Sequence, residues 1–313
     1  MCVTQSGQSF PQKTIYESLE ENGHTWSYFY NDSAWNTFID WFETPQGQAG
    51  LKTYDTFYDQ AEKGTLPNFS FILPRQGTNA TTGQGSNDDH PCHDVALGER
   101  LLKDTYEALR AGAGWNRTLF LVTYDDAGGF YDHSPLPTRD VPPPDDIPSC
   151  SNPTKFDFLG PRLPTLIISP WIPKGTVIHE PWGEPGTVVR PFESSQFEHS
   201  SIAATVKALF GLPEFLTRRD AWAGTFHTAL TEPRPRPDTI YHLPEAPEPG
   251  KEHASHSCVP EGQLSRRHKR RIAFYEELNV VHAPSDMGPL EAEAWIVEQE
   301  KMHQMALRNK FDL

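Results

Sequence analysis

The chain has 313 residues and a mass of 35.3 kDa, enough for one large domain or two small ones and for a sizeable buried core. Its 42 acidic and 27 basic residues give a formal charge of −15, which excludes a general nucleic-acid binder, because phosphate contacts need clustered Lys and Arg. No run of about eighteen apolar residues occurs, so no transmembrane helix is expected, and a 36% hydrophobic, 12% aromatic composition excludes wholesale disorder.

Met1 to Gly7 has neither a basic start nor an apolar core and does not read as a secretory signal as it stands. Cys2, Cys92, Cys150 and Cys258 are widely spaced with no Cys-x-x-Cys, which argues against a zinc knuckle and a dense disulfide scaffold and leaves the compartment open. Sequons at Asn31, Asn68, Asn79 and Asn116 recur too often by chance to decide for secretion. Gln12 to Glu21 is helix-like, Asn22-Gly23 is a stop signal, and Thr25 to Tyr30 is a β-rich aromatic run. Residues 31–65 read as loops and short helices. Asn68 to Leu73 is an apolar strand ended by Pro74, and a polar loop follows over 75–93.

Asp94 is a good N-cap for a helix to about Ala111, with Val95, Leu102, Tyr106 and Leu109 at helical spacing. Thr118 to Tyr124 is a nearly continuous apolar run, the pattern of a strand covered on both faces in a parallel sheet. The order strand, loop, helix, strand predicts a βαβ unit, whose two polar loops, 85–93 and 125–133, would leave one carboxyl edge and face each other. Leu166 to Ser169 is a further strand. His199 to Phe210 is a helix that Ser200 or Ser201 can cap, with Ile202, Val206, Leu209 and Phe210 as its apolar stripe. Residues 231–260 are rich in Pro, Glu and His and read as a linker or surface wrap. Residues 261–282 and 289–309 read as charged helices, the second with Trp295, Ile296, Met302 and Met305 as apolar positions. The domain organisation expected is therefore 1–230 as one domain and 231–313 as linker and charged helices.

Three constellations carry chemistry. Asn87-Asp88-Asp89-His90-Pro91-Cys92-His93-Asp94 packs two histidines and three carboxylates into a loop, residues that bind divalent metals and move protons. Its bland counterpart is a solvated loop with Asp94 capping a helix. Tyr124-Asp125-Asp126-Ala127-Gly128-Gly129-Phe130-Tyr131-Asp132-His133 ends an apolar strand in two adjacent carboxylates, which repel unless a cation or proton intervenes. Asp132-His133 reads as a carboxylate-oriented imidazole. Phe197-Glu198-His199-Ser200-Ser201 opens a helix, where Glu and Ser are ordinary caps and where an anion can also bind.

At this point the residues resemble a family. Thr123-Tyr124-Asp125-Asp126-Ala127-Gly128-Gly129-Phe130-Tyr131-Asp132-His133 is similar to the T-Y-D-E-x-G-G-x-Y-D-H signature of phosphoesterases, which include bacterial and plant non-specific phospholipases C and certain acid phosphatases. Asn87-Asp88-Asp89-His90-Pro91 resembles the N-D-D-H-P of the plant-type phospholipases. Phe156 to Pro164, Ile168 to Ile172, Phe197 to Ser201 and Phe10 to Ile15 resemble further segments of theirs, in the same order. The resemblance implies an alkaline-phosphatase-like three-layer α/β/α sandwich and a metal-dependent hydrolase of phosphate esters that releases a phosphorylated head group and leaves diacylglycerol. Its substrate would be a phospholipid or another phosphate ester, reached by peripheral contact with a membrane surface. It implies Asp125 and Asp126 as ligands of a divalent metal ion of unknown identity. Asp89, His90 and His93 are the catalytic candidates, and Asp132, His133, Glu198 and His199 are supporting or phosphate-binding candidates. Asp126 departs from the family, which has Glu there.

Two upstream family motifs, E-N-R-S-F-D and the nucleophile-bearing T-x-P-N-R, do not occur. Glu21-Asn22 is followed by Gly-His-Thr, and Thr65-Leu66-Pro67-Asn68 by Phe69 in place of Arg. The expectation is a chain corresponding to the middle and later part of such an enzyme, with no nucleophile of its own. A non-catalytic paralogue that keeps metal or phospho-ligand binding, an acid phosphatase, and an interaction protein working through its C-terminal helices are the competing readings. Secretion is plausible for the family.

Overall fold

A computed structural model describes residues 10–31, 34, 39–77, 84–91, 93–147, 156–249, 269, 272–276, 281–285 and 287–311. Cys92 and Cys150 lie outside these residues, as do Cys2 and Cys258 and most of the helix expected over 261–282. The chain divides into two compact units, one built mainly on residues 13–24 and 115–239, the other on 25–114 and 240–311.

The second unit contains a three-stranded parallel sheet in the order β2-β1-β3, formed by β1 (Trp26–Tyr30), β2 (Leu51–Thr53) and β3 (Phe69–Ile72). The aromatic run expected as a strand is the central strand, and its buried side chains explain why. Trp26, Tyr28 and Phe29 pack with Phe42 and Phe57, with Phe29 fully buried. Burying such side chains stabilises by about 1.5–3 kcal/mol each. β2 is only three residues long, too short to announce itself as a period-two pattern within 31–65. With α2 (Pro45–Ala49) and α3 (Tyr54–Lys63) beside it, this is an α/β arrangement around a parallel sheet.

β3 leads through the polar loop into α3's neighbour, α4 (Val95–Ala111). Asp94 caps α4 by accepting the Ala96 N–H at 3.0 Å. Tyr106 and Leu109 are buried as expected, whereas Val95 is exposed, because the buried face of the first turn is the one that carries Ala96 and Gly98. Within 231–249, the segment 240–245 lies along α4. The Tyr106 hydroxyl donates to the Ile240 carbonyl at 2.6 Å, Lys103 Nζ to the Leu243 carbonyl at 2.9 Å, and the Leu243 N–H to Glu107 Oε1 at 2.9 Å. The Arg110 guanidinium sits 3.6 Å above the Tyr241 ring. The C-terminal helix α7 (Pro289–Phe311) buries Ala292 and Ile296 against Ile272 and Tyr275. Met302 and Met305, expected on its apolar face, are exposed, since the buried contacts end before them.

The first unit opens with α1 (Ile15–Glu21). Its capping box pairs the Thr14 hydroxyl with the Glu17 N–H at 3.0 Å, and Asn22 and Gly23 end it, Gly23 at φ +77°. β4 (Phe120–Thr123) and β5 (Thr165–Ile168) follow, then α5 (Ser200–Phe210) and α6 (Arg218–Trp222). Here two expectations are corrected. β4 is half-exposed along its length, not covered on both faces, and it does not pair with β3. It pairs antiparallel with β5, Phe120 opposite Ile168, with the Thr123 and Thr165 hydroxyls 2.9 Å apart. The β3–α4–β4 stretch is therefore not a βαβ unit in one sheet. The parallel crossovers among the described strands are instead the β1–α2–β2 connection and β2–α3–β3, the second of which straddles β1. An apolar run is compatible with either pairing, and the partner is chosen by which strand can reach it. In α5 the buried side chains are Ser201, Ala204, Thr205 and Val206, while Leu209 is exposed, so the packed face is rotated from the expected stripe toward small residues. No described helix is long and apolar enough to cross a membrane.

Candidate active site

The three constellations fall in two units: the 84–94 loop in the unit with the parallel sheet, and the 124–133 turn and the start of α5 in the other. Each is therefore built from its own surroundings.

The loop after β3 is organised by a residue that sequence reasoning passed over. Arg75 is buried, donates from Nε to the Gly85 carbonyl at 2.8 Å and from Nη1 to Gln84 Oε1 at 3.3 Å. The backbones of Arg75 and Asn87 bond at 2.9 Å, and Asn87 Oδ1 accepts the Arg75 N–H at 2.6 Å. The only cue for this role was its place directly after the strand-ending proline. On this frame, Asp88 Oδ1 lies 2.6 Å from His93 Nδ1, both side chains about nine-tenths buried, and His93 Nε2 is 3.4 Å from Ser86 Oγ. A carboxylate at Nδ1 holds the proton there and leaves Nε2 to exchange one with a ligand. Asp88 was one of three carboxylates in the loop, and nothing in the spacing singled it out. His90 is exposed; its Nδ1 is 2.9 Å from the Pro91 carbonyl and must donate to it, so Nε2 carries the lone pair of the neutral ring. The two rings lie 5.4 Å apart.

Asp89 adopts φ +59°, a left-handed conformation that Asp tolerates better than most residues. Its carboxylate rests on Gly98 in the first turns of α4, where a Cβ would come 1.9 Å from Oδ1. Gly98 thus fits the helix to the carboxylate at a cost of about 1 kcal/mol in helix propensity.

In the other unit, β4 ends at Thr123 and the chain turns at once. Asp126 Oδ1 accepts the Gly128 N–H at 2.6 Å, Asp125 Oδ1 accepts the Asp126 N–H at 3.1 Å, and the Phe130 N–H bonds the Ala127 carbonyl at 3.0 Å. Gly128 and Gly129, at φ +60° and +75°, make that turn without the strain a side chain would add. One oxygen of each carboxylate is used by the turn. Oδ2 of each remains exposed to solvent, with no protein partner among the described residues. Both are hard oxygen donors on consecutive residues, the chemistry a divalent ion takes. They fit part of a coordination shell and not a complete one, since no three His, Cys, Asp or Glu side chains converge as ligands among the described residues.

His199 joins this turn. Its Nε2 is 2.8 Å from the Tyr124 carbonyl and donates to it, which leaves Nδ1 with the lone pair. Glu198 Oε1 accepts the Ser200 N–H at 3.1 Å and the Ser200 hydroxyl, and its own N–H donates to Ser201 Oγ at 3.1 Å. The expected serine cap is not formed: Ser200 and Ser201 lie inside α5, the N-cap is His199 with no side-chain cap bond, and the Glu198 carboxylate takes the Ser200 N–H instead, while His199 anchors the helix start to the residue preceding Asp125.

Asp132 has a different partner from the one expected. His133 Nδ1 is 3.9 Å away and its side chain is exposed, whereas Arg162 grips Asp132 with two bonds, Nε to Oδ2 at 3.0 Å and Nη2 to Oδ1 at 2.8 Å. The Ser134 N–H adds a third at 3.0 Å. The guanidinium beside Asp132 holds its carboxyl far below the usual range. Arg's planar fork outcompetes a solvated imidazole for a carboxylate, which pairing along the sequence alone does not reveal. Within the three constellations, the imidazole held by a carboxylate is His93 on Asp88.

Known proteins share the segments that build these loops and turns. The profile of the phosphoesterase family matches residues 3–213, the span that holds all three constellations. The chain belongs to the phosphoesterase family. This phosphoesterase is 46% identical over 243 residues to non-specific phospholipase C1 of Arabidopsis thaliana, covering 76% of the chain and 44% of the relative. It is 41% identical over 285 residues to non-specific phospholipase C5 of the same plant, covering 88% and 50%. Phospholipase C B of Mycobacterium tuberculosis is 25% identical over 305 residues, covering 85% and 52%. The chain spans about half the length of the curated relatives it matches.

Proposed function

We propose that the chain forms part of a phosphate-ester hydrolase of the phospholipase C type, with an alkaline-phosphatase-like α/β/α arrangement as its family fold. The observation that carries this reading is the strand-end turn, where Asp125 and Asp126 present free carboxylate oxygens beside the His199–Tyr124 anchor. That turn is also the segment most like the family signature. In this reading Asp125 and Asp126 are ligands of a divalent ion, which when bound supplies charge to the phosphate oxygens. The chain's own groups do the rest. Asp88 holds the His93 proton on Nδ1, so Nε2 is the nitrogen that can take up a second proton and give it to the departing alcohol. His90 offers a second imidazole, and Asp89, backed by Gly98, lies in the same loop. Names of relatives support a phospholipid as substrate, and a soluble phosphate ester is the acid-phosphatase alternative.

The test is hydrolysis of a chromogenic phosphate ester and of phospholipid vesicles, before chelation, after it, and after return of single divalent metals. Activity should vanish on chelation and return with metal, and Asp125→Ala should abolish the return. Full turnover by Asp125→Ala would remove that residue from the reaction. Metal binding without turnover on either substrate would favour the non-catalytic paralogue.

A further inference from the structure

The Asp88–His93 pair has a third member. Ser86 Oγ lies 3.4 Å from His93 Nε2, and Asp88 Oδ1 lies 2.6 Å from Nδ1 of the same ring. The tautomer fixes the direction of both bonds. Asp88 accepts the Nδ1 proton, so Nε2 carries the lone pair and the Ser86 hydroxyl donates to it. A hydroxyl donating to an imidazole that a carboxylate orients is the arrangement that makes a serine nucleophilic, and geometry identifies it whatever the chain order. The link to Ser86 is the longer one, as catalytic hydrogen bonds often are before a substrate is bound.

The loop holds that hydroxyl in place. Both neighbours of Ser86 are tied to Arg75: the Gly85 carbonyl accepts from Nε at 2.8 Å, and Asn87 exchanges bonds of 2.9 Å and 2.6 Å with the Arg75 backbone. The His93 N–H bonds the His90 carbonyl at 2.9 Å and fixes the other end of the relay. Other buried serines, Ser169, Ser195 and Ser201, give their hydroxyls to backbone groups. Ser86 is buried too, yet His93 is the one partner of its hydroxyl among the described residues.

We infer that Ser86 is a nucleophile of this chain, with His93 as its base and Asp88 as the positioning residue, and that it attacks the phosphorus of a phosphate ester. The relay is read from the loop alone; the choice of phosphorus rests on the proposed function. Ser86 Oγ bonds to phosphorus as the bond from phosphorus to the alcohol oxygen breaks. The Ser86 proton passes to His93 Nε2 and from there to the departing alcohol. Water then gives a proton to Nε2 and bonds to phosphorus, and Ser86 Oγ leaves with that proton, which restores the chain and frees the phosphorylated product. The His93 side chain keeps about a tenth of its surface open, so the relay suits a slender ester group.

The experiment treats the full chain with diethyl fluorophosphate, a small phosphorus electrophile with its own leaving group, and locates the adduct by peptide mass spectrometry. One diethylphosphoryl group should appear on Ser86 of the folded chain, about a hundredfold or more faster than on any serine of the urea-unfolded chain. His93→Gln should slow that labelling by about a hundredfold or more, Asp88→Asn should slow it as well, and Ser86→Ala should remove the adduct. Adducts at other residues only, or labelling of Ser86 at the same rate in His93→Gln, would overturn the inference. Labelling of Ser86 through His93 in a chain that hydrolyses no ester would uphold the nucleophile and count against the hydrolase reading. Metal-dependent hydrolysis by a chain whose Ser86 never labels would do the reverse.

Discussion

His93 shows what a single residue needs from its surroundings. An imidazole in a loop is chemically ambiguous until one nitrogen is assigned, and Asp88 assigns it from 2.6 Å. Asp88→Asn should therefore reduce kcat in the phosphate-ester assay by about tenfold or more with little change in KM, and Asp88→Glu should restore part of it. A role confined to loop stability would instead lower the melting temperature and raise KM alongside. Asp89 makes a complementary prediction. Gly98→Ala inserts a Cβ where the Asp89 carboxylate lies, yet gains up to about 1 kcal/mol of helix propensity. The expected outcome is reduced hydrolysis at unchanged or raised thermal stability; loss of stability with activity per folded molecule intact would show that Asp89 has no part in the reaction. The residue types at both positions were legible in the sequence. Which carboxylate serves which histidine was not: the adjacent Asp132–His133 is the pairing that the sequence suggests, and Asp88–His93, five residues apart in a loop with three carboxylates, is the one that forms. Only the burial of the first pair and the Arg162 fork on Asp132 separate them.

Elements were legible where their ends are chemically marked. Asp94 and Gly112 bracket α4, and the Thr14–Glu17 box and Gly23 bracket α1, each by satisfying backbone groups the helix itself leaves open. Faces and partners were less so, as β4 and α5 show, because they depend on what the rest of the chain brings alongside. The clearest tertiary decision is the laying of 240–245 on α4. Glu107 accepts from Lys103 at 2.5 Å and from the Leu243 N–H, with His242 Nδ1 at 3.2 Å. The Lys103 ammonium, foremost, pulls the Glu107 carboxyl down to about 2. A carboxyl whose folded value is depressed stabilises above its unfolded value and loses that contribution as pH falls through the folded one. The hold on 240–245 should therefore weaken between the ordinary 4.5 and about 2. The protection of the Leu243 amide, its exchange rate relative to that of the unfolded chain at the same pH, should fall across that window in the wild type. In Glu107→Gln it should already be low at neutral pH, and equal protection in both would refute the role.

At the scale of the molecule, charge sets the terms of any membrane encounter. With a net charge of −15, approach to an anionic bilayer is opposed at low ionic strength. Vesicle association should fall as anionic lipid replaces zwitterionic lipid, and added salt should recover part of it; association that strengthens with anionic lipid would indicate a basic surface patch strong enough to outweigh the net charge. Local patterns in the sequence sufficed for the α/β character, for β1 and β3 as strands though not for their pairing, for the ends of α1 and α4, and for the family, because each rests on apolar runs, caps and contiguous motifs. Tertiary structure alone decided that β4 pairs with β5, that Arg75 holds the loop, that Asp132 belongs to Arg162, and that Ser194 joins Trp222 to Asp140. Those are contacts between residues distant in sequence, and the choice among them is made by competition for a shared partner in three dimensions, which no local pattern encodes.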